Sequence, residues 1–298
     1  MYAPIVLFAY NRPLHIRKTV EALQTNPLAK DSELIVISDG PKYDEQSIAK
    51  VRQVREYIKT ITGFKKLTII EKVVNAGLAE SIRAGVTEIV NKYGKIIVFE
   101  DDLLSSPFVL KFLNDALDRY EKDDSVISIT GYIYPLKGSL PDTFFIKGAD
   151  CLAWATWQRG WALFEKDGAK LLTEIRSKKL EKDFDVQYSY PYTKMLEDQV
   201  AGKVSSWAIR WYASAFLRNK LTLYPGRSLV QHIGGDGSGT NCGVSQFYDT
   251  ELSDKPIVFK HIPIEESKLV VKQIEKYFLS QRPSFFRRVW GRICKAAF

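Results

Sequence analysis

The stretch Lys95-Ile96-Ile97-Val98-Phe99-Glu100-Asp101-Asp102 decides the fold. Residues 95–99 are a short, β-rich apolar run preceded by the breaker pair Tyr93-Gly94, which is the reading of a buried parallel strand. Three carboxylates follow at its C-terminal end, where open α/β sheets place their ligands. Packed acids repel one another, so the cluster is costly unless a cation holds it. A divalent metal beside a nucleotide diphosphate is the economical reading. The acids also suit the cap of a following helix whose start is marked by Ser105, Ser106 and Pro107, and the two readings are compatible.

Working outward, the first half alternates strands and helices. Strands are predicted at 4–10, 33–38, 67–73, 95–99 and 126–130. Helices are predicted over 13–23, opened by Asn11-Arg12-Pro13, and through about residue 61. Two more carry one-sided apolar patterns, Leu78, Ile82, Val86, Ile89 and Val90, then Val109, Phe112, Leu113, Ala116, Leu117 and Tyr120. Repeated βα units imply a mostly parallel sheet with helices on both faces. The second half is richer in aromatics. Residues 153–164 and 204–217 read as amphipathic helices on the sheet or as walls of a substrate cleft, with core packing the larger share. Residues 234–243 read as a glycine-rich loop.

The chain has 298 residues, 45% of them apolar, enough for one large core or one domain with an appendage. Its formal charge of +8 comes from 43 basic and 35 acidic residues, and admits nucleic acid, an anionic membrane surface or phosphorylated substrates as partners. Three widely spaced cysteines, Cys151, Cys242 and Cys294, show neither zinc-ligand spacing nor a disulfide framework, which suits a reducing cytoplasm. No leader is expected ahead of the first strand. The apolar runs fall far short of the roughly 20 residues that span a bilayer. A Walker lysine loop, a GxGxxG after the first strand and a GxSxG elbow are all absent, which weighs against P-loop kinases, nicotinamide-dependent dehydrogenases and hydrolases of the elbow type.

The ordered segments Phe8-Ala9-Tyr10-Asn11-Arg12-Pro13, Ile37-Ser38-Asp39-Gly40, Asn75-Ala76-Gly77-Leu78 and Phe99-Glu100-Asp101-Asp102-Leu103 resemble inverting, GT-A fold glycosyltransferases of the family-2 kind, over about residues 4–250. The Glu100–Leu103 segment is similar to the acidic motif of N-acetylglucosaminyltransferase I. The resemblance implies an α/β, Rossmann-like GT-A sheet. It implies a hexosyl- or N-acetylhexosaminyltransferase that moves sugar from a nucleotide-sugar, with UDP favoured, to a hydroxyl of a glycan or lipid-linked acceptor in bacterial surface polysaccharide such as lipopolysaccharide. It places manganese or magnesium on Asp102, the ribose and sugar near Glu100 and Asp101, the uracil edge on Asp39, and the nucleotide pocket at Arg12 and Tyr10. It implies a base within Glu197-Asp198, with Asp198 first and Glu197 in reserve; Ser205 and Ser206 stand where the related enzyme places its base, just ahead of the residue aligned with Trp207. It also implies His232 as a second metal ligand. Read from the residues alone, Asp39 suits a turn former, Arg12 a solvated cation, Asp198 a surface helix acid, and the glycine-rich loop either a flap over the diphosphate or a plain connector.

The expected organisation is a GT-A domain over 1–255, with a nucleotide-binding half at 1–130 and an acceptor-binding half at 131–255, followed by a helical tail at 256–298. Trp154, Trp157 and Trp161 are expected to offer flat surfaces for sugar rings. In the tail, Phe285, Phe286, Val289, Trp290 and Ile293 recur at helical spacing among Arg287, Arg288, Arg292 and Lys295. That pattern suits an anionic membrane surface, and therefore a peripheral location on the inner face of the cytoplasmic membrane. A helix packed on the catalytic domain or on another subunit is the alternative. Two other classes remain open. A sugar nucleotidyltransferase would need a glycine-rich basic loop after the first strand, which Asn11-Arg12-Pro13-Leu14 does not supply. A nucleic-acid-binding protein would bind with steep salt dependence, but the charge here is dispersed and no nucleic acid is expected.

Overall fold

A computed structural model describes residues 2–239 and 247–282. The sequence-predicted strands form, and the elements run β1 (Ile5–Ala9), α1 (Pro13–Gln24), β2 (Glu33–Ser38), α2 (Glu45–Ile58), β3 (Lys66–Glu71), α3 (Leu78–Tyr93), β4 (Lys95–Glu100), β5 (Leu103–Ser105), α4 (Val109–Arg119) and β6 (Val126–Thr130). The second half adds β7 (Thr143–Lys147), β8 (Trp154–Trp157), α5 (Gln158–Trp161), α6 (Gly168–Ser177), α7 (Glu181–Phe184), α8 (Tyr192–Val200), α9 (Ala208–Leu217), β9 (Leu221–Pro225), β10 (Val230–His232) and α10 (Lys268–Ser280).

One eight-stranded sheet, ordered β3-β2-β1-β4-β8-β6-β9-β7, carries the molecule, and a two-stranded ribbon pairs β10 with β5. Strands β1 to β4 are mutually parallel. β8 inserts antiparallel between β4 and β6, β9 runs parallel to β6, and β7 closes the edge antiparallel. The sheet is thus mostly parallel and draws strands from both halves of the chain.

Strand periodicity explains the two cores. Ile5, Leu7, Val36, Ile97 and Phe99 face α1, α2 and α4, where Ile16, Val20, Val54 and Leu113 are buried. Val6, Phe8, Ile35, Ile37, Ile96 and Val98 face α3, through Ile82, Val86 and Val90. Side chains alternate faces along a strand, and covering both faces is what makes these strands read as unbroken apolar runs. Gly94 ends α3 in the left-handed conformation, at φ 78°, and its N–H bonds the Val90 carbonyl, so the helix stops where β4 must start.

Three readings are corrected. Residues 154–157 form strand β8, not the start of a helix: Trp154 packs on the α3 side while Ala155 and Trp157 pack on the other. A four-residue strand running directly into the one-turn α5 imitates helical spacing. The tryptophans are core rather than sugar platforms. Trp154 is fully buried, and Trp157 and Trp161 are 3% and 5% exposed. Trp154 stacks on Trp207 at 5.5 Å and lies 5.9 Å from Trp211, and Trp157 donates its indole N–H to the Leu117 carbonyl. Likewise, residues after Asp102 continue as β5 before α4 begins at Val109.

In the tail, residues 268–280 form α10, which buries Val270, Ile274 and Phe278 against Ile133, Phe144 and Tyr224. The N–H of Ser267 bonds the Phe145 carbonyl, so this helix is pinned to β7. No helix among the described residues is long and apolar enough to cross a membrane. The predicted amphipathic helix over 283–298 lies outside the described residues.

Candidate functional site

The strand order reverses between β1 and β4: β1 continues outward through β2 and β3, while β4 leads the other way. Such a switch point leaves a crevice at the carboxyl ends of the two strands. The β1 end delivers Tyr10 and Arg12, the β4 end delivers Glu100, Asp101 and Asp102, and the adjacent β2 end delivers Asp39.

Arg12 joins the acids. Its Nη2 bonds Asp101 Oδ1, and its Nη1 lies 2.9 Å from Asp102 Oδ2. The Thr19 hydroxyl, from α1, donates to the Asp101 carbonyl at 2.8 Å and accepts from the Leu103 N–H at 3.2 Å. α1 therefore holds the acidic turn from below. Thr19 gave no sequence signal, since a threonine inside a helix is unremarkable.

His232 reaches the same cluster from the other half. Pairing of β10 with β5 sets His232 opposite Leu103, and the Ile233 N–H bonds the Asp102 carbonyl at 2.9 Å. His232 Nε2 then lies 3.3 Å from Asp102 Oδ2. Gly234 borders this pair: a Cβ there would stand 2.2 Å from Asp102 Oδ2 and 2.9 Å from His232 Nε2. Glycine keeps open the space beside both donor atoms. Further along, Asp236 Oδ2 lies 3.2 Å from His15 Nε2 on α1, so the described part of the glycine-rich loop is tied across the site. Its residues 240–243 lie outside the described residues. A cleft of about 1,030 Å³ opens alongside, with Gln231, His232, Gly235 and Asp236 on its wall.

The acids divide electrostatically. Burial raises Asp102, but the His232 hydrogen bond and the Arg12 charge outweigh it and hold the group down at about 2. Burial raises Asp101, and its arginine only partly offsets this. Burial and the charges of Asp102 and Asp101 push Glu100 up to about 8. Burial works against the charge of Arg12, yet the two aspartates raise its pKa further. The site thus fixes one firmly ionised carboxylate, Asp102, beside a permanent cation.

Among the described residues, no three His, Cys, Asp or Glu side chains converge as a metal cage. The donor set is two, Asp102 and His232. Two protein donors, with space beside them that a Cβ would fill, fit a divalent ion whose remaining positions are taken by substrate phosphates rather than by protein.

Asp39 is 5% exposed. Its Oδ1 accepts from the N–H groups of Gly40 and Ala76, and its Oδ2 from Gly77 at 2.9 Å. It therefore organises the turn entering α3. Arg55 braces the same corner, bonding the carbonyls of Lys72 and Asp39. The Tyr10 hydroxyl pairs with Ser47 at 2.7 Å.

Glu197 and Asp198 lie on α8, away from this cluster in every contact they make. Glu197 pairs with Arg176 at 2.6 Å. Asp198 pairs with Lys194 and with Lys203, which lower its pKa, Lys194 most.

The sequence profile described as Glycosyl transferase family 2 matches residues 5–175. No curated protein matches the chain. Among solved structures, a crystal structure of S. aureus TarS 1-349 aligns with a TM-score of 0.42 at 12% identity, covering 77% of this chain and 60% of that one. A second, titled as S. aureus TarS, aligns with a TM-score of 0.43 at 12% identity over 77% of this chain and 36% of that one. The chain therefore spans less than two thirds of the length of either.

Proposed function

Because the chain belongs to glycosyl transferase family 2, we propose that it transfers a sugar from a nucleotide-sugar, a UDP-sugar first, to a hydroxyl of a glycan or lipid-linked acceptor, with inversion at the anomeric carbon. The observation that carries the reading is Asp102 at the β1/β4 switch point, bound by Arg12 and His232 with Gly234 leaving room beside it. A divalent ion on Asp102 and His232 would supply positive charge to the departing diphosphate. Arg12, a permanent cation, keeps Asp102 ionised and adds charge stabilisation at the same place. Glu100, Asp101 and Tyr10 line the sugar and nucleotide approach, and Asp39 shapes the base end through the Gly40 and Gly77 amides.

Asp198, with Glu197 in reserve, is the base that the resemblance implies. Its lysine pairs must open before it accepts a proton, since they favour the ionised form and weaken it as a base. The aromatic and basic residues after Pro283 support a peripheral position on an anionic membrane and a lipid-linked acceptor. A bacterial surface polysaccharide is the proposed destination of the sugar.

The test is thermal stability with UDP, GDP, CMP and ATP, each with and without manganese, on wild type and Asp102→Asn. A ligand bound only by the folded state raises the melting temperature. The expected result is a manganese-dependent rise with UDP that the variant lacks. Absence of a rise with every nucleotide would overturn the reading.

A further inference from the structure

A second cavity, of about 320 Å³, lies on the same edge of the sheet, walled by Tyr134, Tyr190, Tyr192, Tyr212, Tyr224 and Tyr248, with Asp150 among them. Its size is at the small end of the roughly 300–1,000 Å³ typical of small-ligand sites. Asp150 stands ahead of β8, whose Trp154 pairs with both Val98 and Thr130 at the carboxyl ends of β4 and β6. The cavity and the acidic turn thus share one rim of the sheet. Tyr248 links them, its ring packing edge-on to His232 at 5.7 Å.

We propose that this cavity binds one uncharged sugar ring of the acceptor, with Asp150 accepting hydrogen bonds from its hydroxyls and tyrosine rings covering its C–H faces. The proposal deepens the transferase reading and rests on it for the assignment to the acceptor. Three observations support it. First, the chemistry of the wall alternates. The rings of Tyr190 and Tyr192 meet at a tilt at 4.6 Å, as do those of Tyr192 and Tyr212, and the Tyr212 and Tyr224 hydroxyls donate to the Phe184 carbonyl and toward Asp150. Apolar rings beside hydroxyls match a pyranose, which has apolar faces and a hydroxyl rim.

Second, Asp150 is held by neutral donors alone, the Cys151 N–H among them. Its Oδ1 accepts from the Leu152 N–H at 2.9 Å and lies 3.3 Å from the Thr130 hydroxyl, but its Oδ2 has the Tyr224 hydroxyl at 3.5 Å, the long limit of a hydrogen bond. The other charged groups on the wall are Lys147, Asp183 and Glu266, and among the described residues no arginine or histidine lines it. This balance repels a phosphate and leaves the diphosphate to Arg12. Third, Val186, Gln187 and Tyr188 hold φ of 48°, 57° and 60°, and the first two line the cavity. Three successive non-glycine residues in the left-handed region, one of them β-branched, are a genuine outlier, and such strain clusters at ligand clamps.

The test uses the full chain and saturation-transfer NMR with the methyl glycosides of glucose, galactose, mannose, rhamnose and N-acetylglucosamine. Choline serves as the cationic control, because an aromatic cage with one acid also suits an ammonium. Wild type, Asp150→Asn, Asp102→Asn and Met195→Trp are compared; Met195 lies on α8 in the cavity wall, and its replacement fills the space. The expected result is binding of at least one glycoside by wild type and by Asp102→Asn, weakened about tenfold or more in Asp150→Asn and Met195→Trp. No glycoside binding by wild type, binding that survives Met195→Trp, or preference for choline would each overturn the proposal. UDP with manganese is titrated in parallel. Its failure on wild type would remove the transferase reading while leaving a glycoside result standing, and the reverse pattern would remove only the cavity.

Discussion

Asp102 and Asp150 stand on one edge of one sheet, and their surroundings drive them in opposite directions. Burial disfavours ionisation at both. At Asp102 the Arg12 cation and the His232 hydrogen bond reverse the sign and hold the group at about 2. At Asp150 the donors are neutral, the Leu152 and Cys151 N–H groups, a threonine and a tyrosine, and burial wins, raising it to about 6. The difference teaches what each region is built to meet. The acidic turn is a charge cluster of Arg12, Asp101, Asp102 and His232, the proposed place of a cation and a diphosphate. The tyrosine cavity holds a carboxyl group met only by neutral donors, one of them at 3.5 Å, and hydroxyls of a ligand are donors of the same kind.

The largest expected effect tests whether the base belongs to either region. If Asp198 takes the acceptor proton, Asp198→Asn lowers kcat by about 10²–10⁴-fold with KM little changed. A loss smaller than tenfold, read by initial rates, would take the role from Asp198 and leave it to Glu197 beside it, and the same small loss in Glu197→Gln would move the proton acceptor off α8.

The second effect breaks the acidic turn without touching a charge. A Cβ at residue 234 would sit 2.2 Å from Asp102 Oδ2, so Gly234→Ala must push Asp102 or His232 aside. Displacing a metal's donors in this way lowers metal affinity about 10–100-fold. Manganese titration of UDP binding reads it, with glycoside binding in the cavity unchanged. Unaltered manganese affinity would mean that the space beside Gly234 holds no ion.

The two regions also differ in how far they were legible. The acidic turn is continuous in sequence at 100–102, and Arg12 and Asp39 follow neighbouring strands, so strand reading alone puts them on one edge. His232 is brought in by the three-residue ribbon β5–β10, too short to leave a pattern, and only the resemblance pointed to it. The cavity draws on residues 134, 150, 190, 192, 212, 224 and 248, which no local spacing connects. Conversely, the aromatic clustering at 154–161 reads as a mixture of core and ligand wall, with core the larger share, and is core throughout. Tryptophan serves both purposes, and what decides is β8, a strand inserted between β4 and β6 that turns Trp154 toward Trp207 and Trp211.

The smallest effect sharpens the comparison in energy rather than rate. Asp150 has a folded pKa of about 6 against an ordinary carboxyl value of 3.8. Between those values the folded state holds a proton that the unfolded state has released, so stability falls as pH rises through this window and stays lower above it. Asp150→Asn keeps an oxygen that can accept from Leu152 N–H and carries no charge. The variant is expected to be more stable than wild type above pH 6, by on the order of 2 kcal/mol, and the gap should close as pH drops toward 3.8. Chemical denaturation at pH 4.0, 5.0, 6.0 and 7.5 measures it. The same variant is expected to lose glycoside binding, so an acid that lowers stability would be kept for what it binds, the usual sign of a working site. A variant less stable than wild type at pH 7.5 would instead make Asp150 a structural acid, satisfied by its own neighbours as Asp102 is by Arg12.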